Sequence, residues 1–379
     1  MKKVLFLIGS LQGGGAEKVL VDTVNSLNRE KYQITVQTLF DRGEFKGKLS
    51  SAVRYKTIIT CKEGLLCKIA AKLLFSIGTR LTYRFFVRED YDYEIAFLEG
   101  LPTKILSKST AKKAKKIAWV HTDLCKNSES ATAYRSAQKE GEAYDRFDRV
   151  ICVSKSVEKA FRSKYCVKNA IVSTLYNIVD DAAVIMGAKE EVELPISIRP
   201  CFISVGRLIE QKGFDRLLRI HKRLIEKGYR HSLLIIGEGE LRASLEKYIK
   251  DNNLEDTVCL LGFCVNPYKY ISKADAFVSS SYVEGFSTVI TESILCGTPV
   301  VATDVSGNRE PEEAPRCSVI VENEENSLYE SLSAIIDNPA ILERYRDELP
   351  AKQRYYTKKS LLSRFEEVIF GVSEDRFSL

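Results

Sequence analysis

Apolar runs of strand length alternate with longer stretches of helical periodicity along the whole of this 379-residue chain. In the N-terminal half they are Val4–Ile8, Ile34–Leu39, Tyr93–Phe97, Ile117–Val120, Val150–Val153 and Ile171–Leu175. The C-terminal half repeats the style with Cys201–Val205, Leu233–Ile236, Val258–Leu261, Ala276–Ser280, Val300–Thr303 and Val319–Val321. Short runs that are apolar throughout belong to strands buried on both faces, and such strands separated by helices build βαβ units around a parallel sheet. The chain is too long for one core, so two α/β domains are expected. The pattern breaks around Asp180–Pro200, where charge, Pro195 and Pro200 intervene, which sets the expected domains at 1–180 and 181–359. No low-complexity segment or short-period repeat is visible.

Ligands of open α/β sheets bind beyond the carboxyl ends of the strands, so the residues following each run carry the candidate chemistry. Glu284-Gly-Phe-Ser-Thr-Val-Ile-Thr-Glu292 follows Ala276–Ser280 and enters a helix that stops at Gly297-Thr298-Pro299. Ser287 is placed as its N-cap, which aims the first free amides, beginning at Thr288, into the site; unpaired helix amides bind phosphate. A basic counterpart, Gly206-Arg207-Leu-Ile-Glu-Gln-Lys212-Gly213, follows Cys201–Val205. Arg207 brings a planar fork of donors and Lys212 a compact charge, both suited to phosphate oxygens. Glu292, in the second turn of its helix, suits a ribose hydroxyl pair. Any one of these residues alone reads as a solvated surface charge; the set, at matching strand-to-helix junctions, reads as a sugar-nucleotide site.

Other strand ends are less specific. Gly13-Gly14-Gly15-Ala16-Glu17-Lys18 lacks the third glycine of a dinucleotide fingerprint and is followed by no Gly-Lys-Ser/Thr, so neither NAD nor a P-loop is supported. By itself it is a plain turn whose glycines tolerate positive φ. His121, in Val120-His121-Thr122-Asp123, is a lone histidine at a strand end, more often a structural hydrogen-bonder than a catalyst. Gly237-Glu238-Gly239-Glu240 imitates a nucleotide loop but has Arg242 where a glycine belongs. A glycosidase acid/base pair of Glu284 and Glu292 is the rival reading; it would not need the cations at Arg207 and Lys212.

Charge narrows the partners. Residues 1–180 carry 32 Lys and Arg against 19 Asp and Glu, whereas the rest carries 25 against 32. The basic half suits an anionic partner. Residues 61–88 set Leu65, Leu66, Ile69, Leu73, Leu74, Ile77 and Leu81 at helical spacing among Lys62, Lys68, Lys72, Arg80 and Arg84; Lys104–Lys116 holds six lysines and no acid. A basic amphipathic helix lies on anionic membranes, although a core-facing helix with a solvated basic face shows the same pattern. Interleaved aromatics are lacking, so nucleic acid is not expected. Ten cysteines form no Cys-x-x-Cys pair and only three histidines are present, so no metal site is expected and the cysteines read as small buried hydrophobes of a reducing cytoplasm. No run is long enough to span a bilayer, and the start Met-Lys-Lys-Val-Leu-Phe-Leu-Ile-Gly reads as a first strand rather than a signal peptide.

Glu284…Glu292, with Ser204-Val205-Gly206-Arg207 and Gln211-Lys212-Gly213, resembles the retaining glycosyltransferases of family 4, over nearly the whole chain. The resemblance implies a GT-B fold, two Rossmann-like domains with parallel sheets facing a cleft, and a last helix, from about 360 to 379, that returns to the N-terminal domain. It implies transfer of a hexose from a nucleotide-sugar, UDP or GDP, to a hydroxyl of a glycan or a polyprenyl- or lipid-linked saccharide, with retention, without metal or other cofactor. Gly14 and Gly15 become contacts of donor phosphate and acceptor, and His121 a contact of the donor sugar. Gly262 and Phe263, in Leu261-Gly262-Phe263, would hold the base through backbone. Glu284 would hold the transferred sugar, Phe286, Ser287 and Thr288 the phosphates, and Arg207 and Lys212 the leaving diphosphate. The implied setting is cell-surface polysaccharide or glycolipid assembly, in the cytoplasm or peripheral on the inner membrane face. A sugar-nucleotide epimerase or hydrolase and a non-catalytic partner subunit are the alternatives. Asn177-Ile178-Val179-Asp180 and Ser306-Gly307-Asn308-Arg309-Glu310 depart from the commoner Asn-Gly-Val-Asp and double-glycine versions.

Overall fold

Seven strands, all parallel, form the sheet of the first unit: β1 (Lys2–Ile8), β2 (Tyr32–Phe40), β3 (Arg54–Ile59), β4 (Tyr93–Ala96), β5 (Lys115–Val120), β6 (Arg149–Cys152) and β7 (Ile171–Thr174). Six parallel strands form the second: β8 (Cys201–Val205), β9 (Ser232–Ile236), β10 (Val258–Gly262), β11 (Ala276–Ser279), β12 (Val300–Thr303) and β13 (Ser318–Val321). This computed structural model describes residues 1–12, 14–60, 78–125, 130–309 and 318–372. Gly13, most of the basic stretch 61–88, Glu310 and the end of the last helical segment expected to 379 therefore lie outside the described residues. The units comprise Met1–Ile178 with Leu362–Leu379, and Val179–Leu361.

All twelve expected runs are strands; β3 is the addition. Its residues, Arg54-Tyr-Lys-Thr-Ile-Ile, are mostly half-buried and occupy the sheet edge, where one neighbour is lacking and polar side chains are tolerated. By contrast Val4–Ile8 of β1 are fully buried, each removal from water being worth roughly 1.5–3 kcal/mol. The order β3-β2-β1-β4-β5-β6-β7 reverses direction between β1 and β4, and β10-β9-β8-β11-β12-β13 does so between β8 and β11. Connections leave opposite faces on either side of these points, which opens a crevice at the strands' carboxyl ends. In the first unit the ends at the reversal lead to the Gly14 loop and to Glu99. In the second they lead to Gly206-Arg207 and to Ser280–Ser287.

The second core packs the helix Phe214–Glu226 on its sheet: Phe214, Leu217, Leu218 and Leu224 recur at helical spacing against Phe202, Leu233 and Ile235. In the first unit the final helix, Lys358–Phe370, sets Phe365 on Trp119 (5.7 Å between rings) and Phe370 on Tyr32 (4.3 Å) and Tyr93 (4.9 Å).

Gly213 caps Phe214–Glu226 in the left-handed conformation (φ 64°), and a Cβ there would stand 2.2 Å from the Ser280 carbonyl oxygen. Gly213→Ala therefore forces strain and displaces the strand end that carries the candidate site. A loss of at least about 1–3 kcal/mol is expected, read as a lowered denaturant midpoint; an unchanged midpoint would mean that the loop yields freely.

Candidate active site

The carboxyl ends of β8 and β11 bring two of the sequence candidates into contact. Lys212, in the turn after β8, places Nζ 2.5 Å from Glu284 Oε1, across 72 residues of sequence. Ser281 donates its hydroxyl to the same oxygen at 2.7 Å. Glu284 is 6% exposed, so its charge depends on these two donors, and the lysine side chain is only a quarter exposed (25%). A carboxylate held by an ammonium is a hydrogen-bond acceptor, which fits the orientation of sugar hydroxyls better than the proton delivery of a glycosidase acid.

Glu284 is fixed from behind by the loop after β12. Ser306 donates Oγ–H to the Glu284 carbonyl (2.9 Å), and the Gly307 amide donates to it at 3.2 Å. A Cβ on Gly307 would lie 2.9 Å from that of Glu284, so the single glycine of this divergent loop is the one the contact requires. Asn308, fully buried, donates from Nδ2 to the Thr303 carbonyl (3.0 Å) and Ser279 Oγ (3.3 Å).

Arg216 braces the other flank. It is 2% exposed and donates from Nε to the Ser280 carbonyl (2.7 Å) and from Nη2 to the Ser281 carbonyl (2.8 Å) and Asn323 Oδ1 (2.7 Å). Its guanidinium lies 4.0 Å from the Tyr282 ring centre. Arg216, Ser281 and Asn308 escaped the sequence reading. The one available signal was an arginine on the apolar face of a helix, where an unpaired charge is not tolerated.

Ser287 occupies the N-cap position of the eight-residue helix Thr288–Leu295 with extended backbone (φ −83°, ψ 95°), but its side chain makes no capping bond. Phe286 and Ser287 are buried and Thr288 half-buried. Glu292 is 4% exposed and accepts from the Tyr268 hydroxyl at 3.3 Å. Arg207 is exposed, in the turn between β8 and the Lys212 loop, and no contact joins it to Glu284 among the described residues. Gly262 ends β10 with φ 73°, its carbonyl accepting from the Gly237 amide at 2.8 Å, and Phe263 after it is 61% exposed.

In the first unit Gly14 is the N-cap of the helix Gly15–Ser26 with φ −78°, so the expected use of positive φ does not apply there. A Cβ there would stand 2.3 Å from Glu17 Oε2, the far end of a flexible side chain that can swing aside, so bulk does not require the glycine either. Gly15 has open space around its Cα. His121 follows β5 and packs against Phe97 (5.0 Å) and Trp119 (6.4 Å). Burial pushes its imidazole down to about 3, against a hydrogen bond to the Phe97 backbone, so the ring is neutral at physiological pH. Its Nε2 is buried without a partner. The His121 and Thr122 amides both donate to Glu99 Oε1, the latter at 2.8 Å, and the Thr122 hydroxyl adds a third bond at 3.2 Å. Burial raises the Glu99 carboxyl, and these bonds oppose the rise. Glu99, too, went unnoticed in the sequence; it holds the His121 turn.

Residues 13–183 match the family described as Glycosyltransferase Family 4, and residues 189–360 match Glycosyl transferases group 1. A Campylobacter jejuni N-acetylgalactosamine-N,N'-diacetylbacillosaminyl-diphospho-undecaprenol 4-alpha-N-acetylgalactosaminyltransferase is 32% identical over 217 residues, 57% of this chain and 58% of that one. The chain thus spans little more than half the length of this curated relative. An uncharacterised glycosyltransferase of Haemophilus influenzae is 22% identical over 97% of this chain and all of that one. Among solved structures, Anabaena HepE in complex with UDP and glucose superposes with a TM-score of 0.78 at 20% identity, covering 98% of this chain and 100% of that one. Staphylococcus aureus TarM, in complex with fondaparinux, alpha-GlcNAc-glycerol and UDP, gives 0.72 at 14% identity over 97% and 100%. With its two halves matched by these families and its two parallel sheets built alike, the chain belongs to the family 4 glycosyltransferases of GT-B fold.

Proposed function

We propose that this chain transfers a hexose from a nucleotide-sugar to a hydroxyl of a glycan or lipid-linked saccharide, with retention of configuration and without a metal ion. The observation that carries the reading is the Lys212–Glu284 pair, buried at the sheet reversal of the second unit beside the amide end of Thr288–Leu295. As the glycosidic bond breaks, negative charge develops on the diphosphate. Lys212, the exposed fork of Arg207 and the helix amides would absorb it. Glu284 would accept from hydroxyls of the transferred sugar and Glu292 from the ribose. His121, neutral and with a bare Nε2, is equipped to accept from a sugar hydroxyl and ill-suited to be a base. Attack from the face that the diphosphate leaves would then retain configuration with no enzyme nucleophile.

The relatives support the same class: HepE and TarM were solved with UDP, and the Campylobacter relative is named for a diphospho-undecaprenol-linked acceptor. A non-catalytic subunit would not need to keep the cation and carboxylate paired. Peripheral contact with an anionic membrane belongs to the same proposal. It is supported by exposed Leu81, Phe85 and Phe86 interleaved with Arg80, Arg84 and Arg88. Among the described residues, no helix is long and apolar enough to cross a membrane.

A thermal-shift screen against UDP, GDP, ADP and CMP tests the donor site. UDP or GDP, at about 100 times its dissociation constant, is expected to add roughly 2.7 kcal/mol to folding stability. Silence from all four would remove the nucleotide-sugar reading.

A further inference from the structure

A second charged site lies in the first unit, at the start of the lysine-rich stretch 104–116. The helices Leu101–Leu106 and Ala137–Tyr144 enclose, with the loop at Tyr134, a cavity of about 260 Å³. Lys104, Lys108, Arg135, Lys139 and Arg146 line it, and Glu142 is the single acid. Lys104 lies on the first helix and Lys108 in the turn that follows it; Lys139 and Glu142 lie on the second helix and Arg146 in the turn after its end.

Glu142 is already used, paired with Lys139 at 2.7 Å. Glu140, the other acid of that helix, is buried and accepts from the Tyr165 hydroxyl at 2.6 Å. Lys104 is anchored, donating to the Ala133 carbonyl at 2.6 Å with the Tyr134 ring 5.5 Å away. Lys108, Arg135 and Arg146 have no ion pair or side-chain hydrogen bond among the described residues. The cavity thus gathers four cations beyond those its own carboxylate neutralises. Burial and then the charges of Arg146, Lys104 and Lys139 push the Lys108 ammonium down, so the cluster is self-repelling as it stands. Arg135, Lys139 and Arg146 are exposed and Lys108 is half-buried, so water screens part of the repulsion; an anion seated among them would relieve the rest.

We propose that this cavity is a binding site for a phosphate group, carried by a lipid at a membrane surface or by a soluble phosphate ester. An arginine fork beside lysine point charges is the donor set that phosphate takes, and Tyr134 adds a wall against which the group would sit. The helix Thr79–Thr82, which leads into exposed Phe85 and Phe86, packs on Leu101–Leu106, one of the two helices that line the cavity. The assignment does not depend on the nucleotide-sugar reading; a lipid source would deepen the membrane contact proposed above.

Lys108→Gln/Arg146→Gln removes two cations without adding a charge, and Arg146→Glu reverses one. Each is compared with the unaltered full chain in two assays: titration with inorganic pyrophosphate at low salt, and sedimentation with phosphatidylcholine vesicles with and without phosphatidylglycerol. The melting point without ligand and the response to UDP serve as controls and should not move. With each cation worth about fivefold, the double variant should bind about 25-fold more weakly in at least one assay. Loss confined to phosphatidylglycerol vesicles assigns the site to a lipid headgroup. Loss of pyrophosphate binding assigns it to a phosphate or diphosphate ester, pyrophosphate bound at Lys212 being unaffected by the substitutions. If neither assay changes in a variant that melts normally, the cavity is not a phosphate site.

Discussion

Lys212→Ala is expected to lower kcat/KM by about a hundred- to a thousandfold, the usual effect of removing one preorganised donor from developing charge. The geometry makes the residue doubly engaged, since its ammonium also holds Glu284 at 2.5 Å. Its loss leaves that carboxylate buried on the Ser281 hydroxyl alone. Stranding one member of a buried pair costs about 3–5 kcal/mol, which the partial exposure of Lys212 reduces to about 1–3. The fold should therefore survive while turnover collapses. Glu284→Gln keeps the shape and both neighbours but weakens the hold on Lys212, and Lys212→Ala/Glu284→Ala should cost far less than the two single losses added together. Activity within a few-fold of the unaltered protein in Lys212→Ala would place the leaving group elsewhere.

Acidification should unfold the second unit before the first. Burial depresses the imidazoles of His221 and His231 to about 2 and about 4, and that of His121 to about 3, from an ordinary 6.5. A base whose folded pKa is depressed binds fewer protons folded than unfolded. Stability is therefore fully present above about pH 6.5 and is lost as pH falls toward the folded value. Each histidine costs about 1.4 kcal/mol per pH unit in that window, hence about 2 kcal/mol by about pH 5. The second unit holds two such histidines, their rings 4.3 Å apart, and should lose about 4 kcal/mol. The first holds one, and burial of Glu94 and Glu99 works the other way there: their carboxyls are raised, a penalty that disappears as pH falls. Calorimetry between about pH 7 and 5 should show one transition moving down faster than the other, and His221→Gln should slow it. Transitions that shift together would show that the histidines are not the acid-sensitive groups.

The sheets were legible because parallel strands are buried on both faces, which writes them as unbroken apolar runs. β3 was not, because an edge strand such as Arg54–Ile59 keeps one side wet. Arg207, Lys212, Glu284 and Glu292 stood out because each follows a strand, a position that local sequence reports. What Lys212 does to Glu284 is a contact across 72 residues, and Arg216 reaching Ser280 spans 64; neither distance leaves a local trace. The Gly14 loop was read through backbone freedom, which it does not use, whereas Gly307, noted only as part of a divergent loop, serves by absence of bulk against Gly285, Phe286 and Glu284. That requirement is set by neighbours and becomes visible only with them.

The first unit takes Phe365 and Phe370 from the far end of the chain to complete the aromatic stack on Trp119, Tyr32 and Tyr93. During synthesis an N-terminal domain ordinarily folds first, while the remainder is still being made. Here the ribosome releases the last piece of the first domain only after the whole of the second. Until then Trp119 and its neighbours have an open apolar face, so the nascent chain waits, partly folded, for its own final turns of helix.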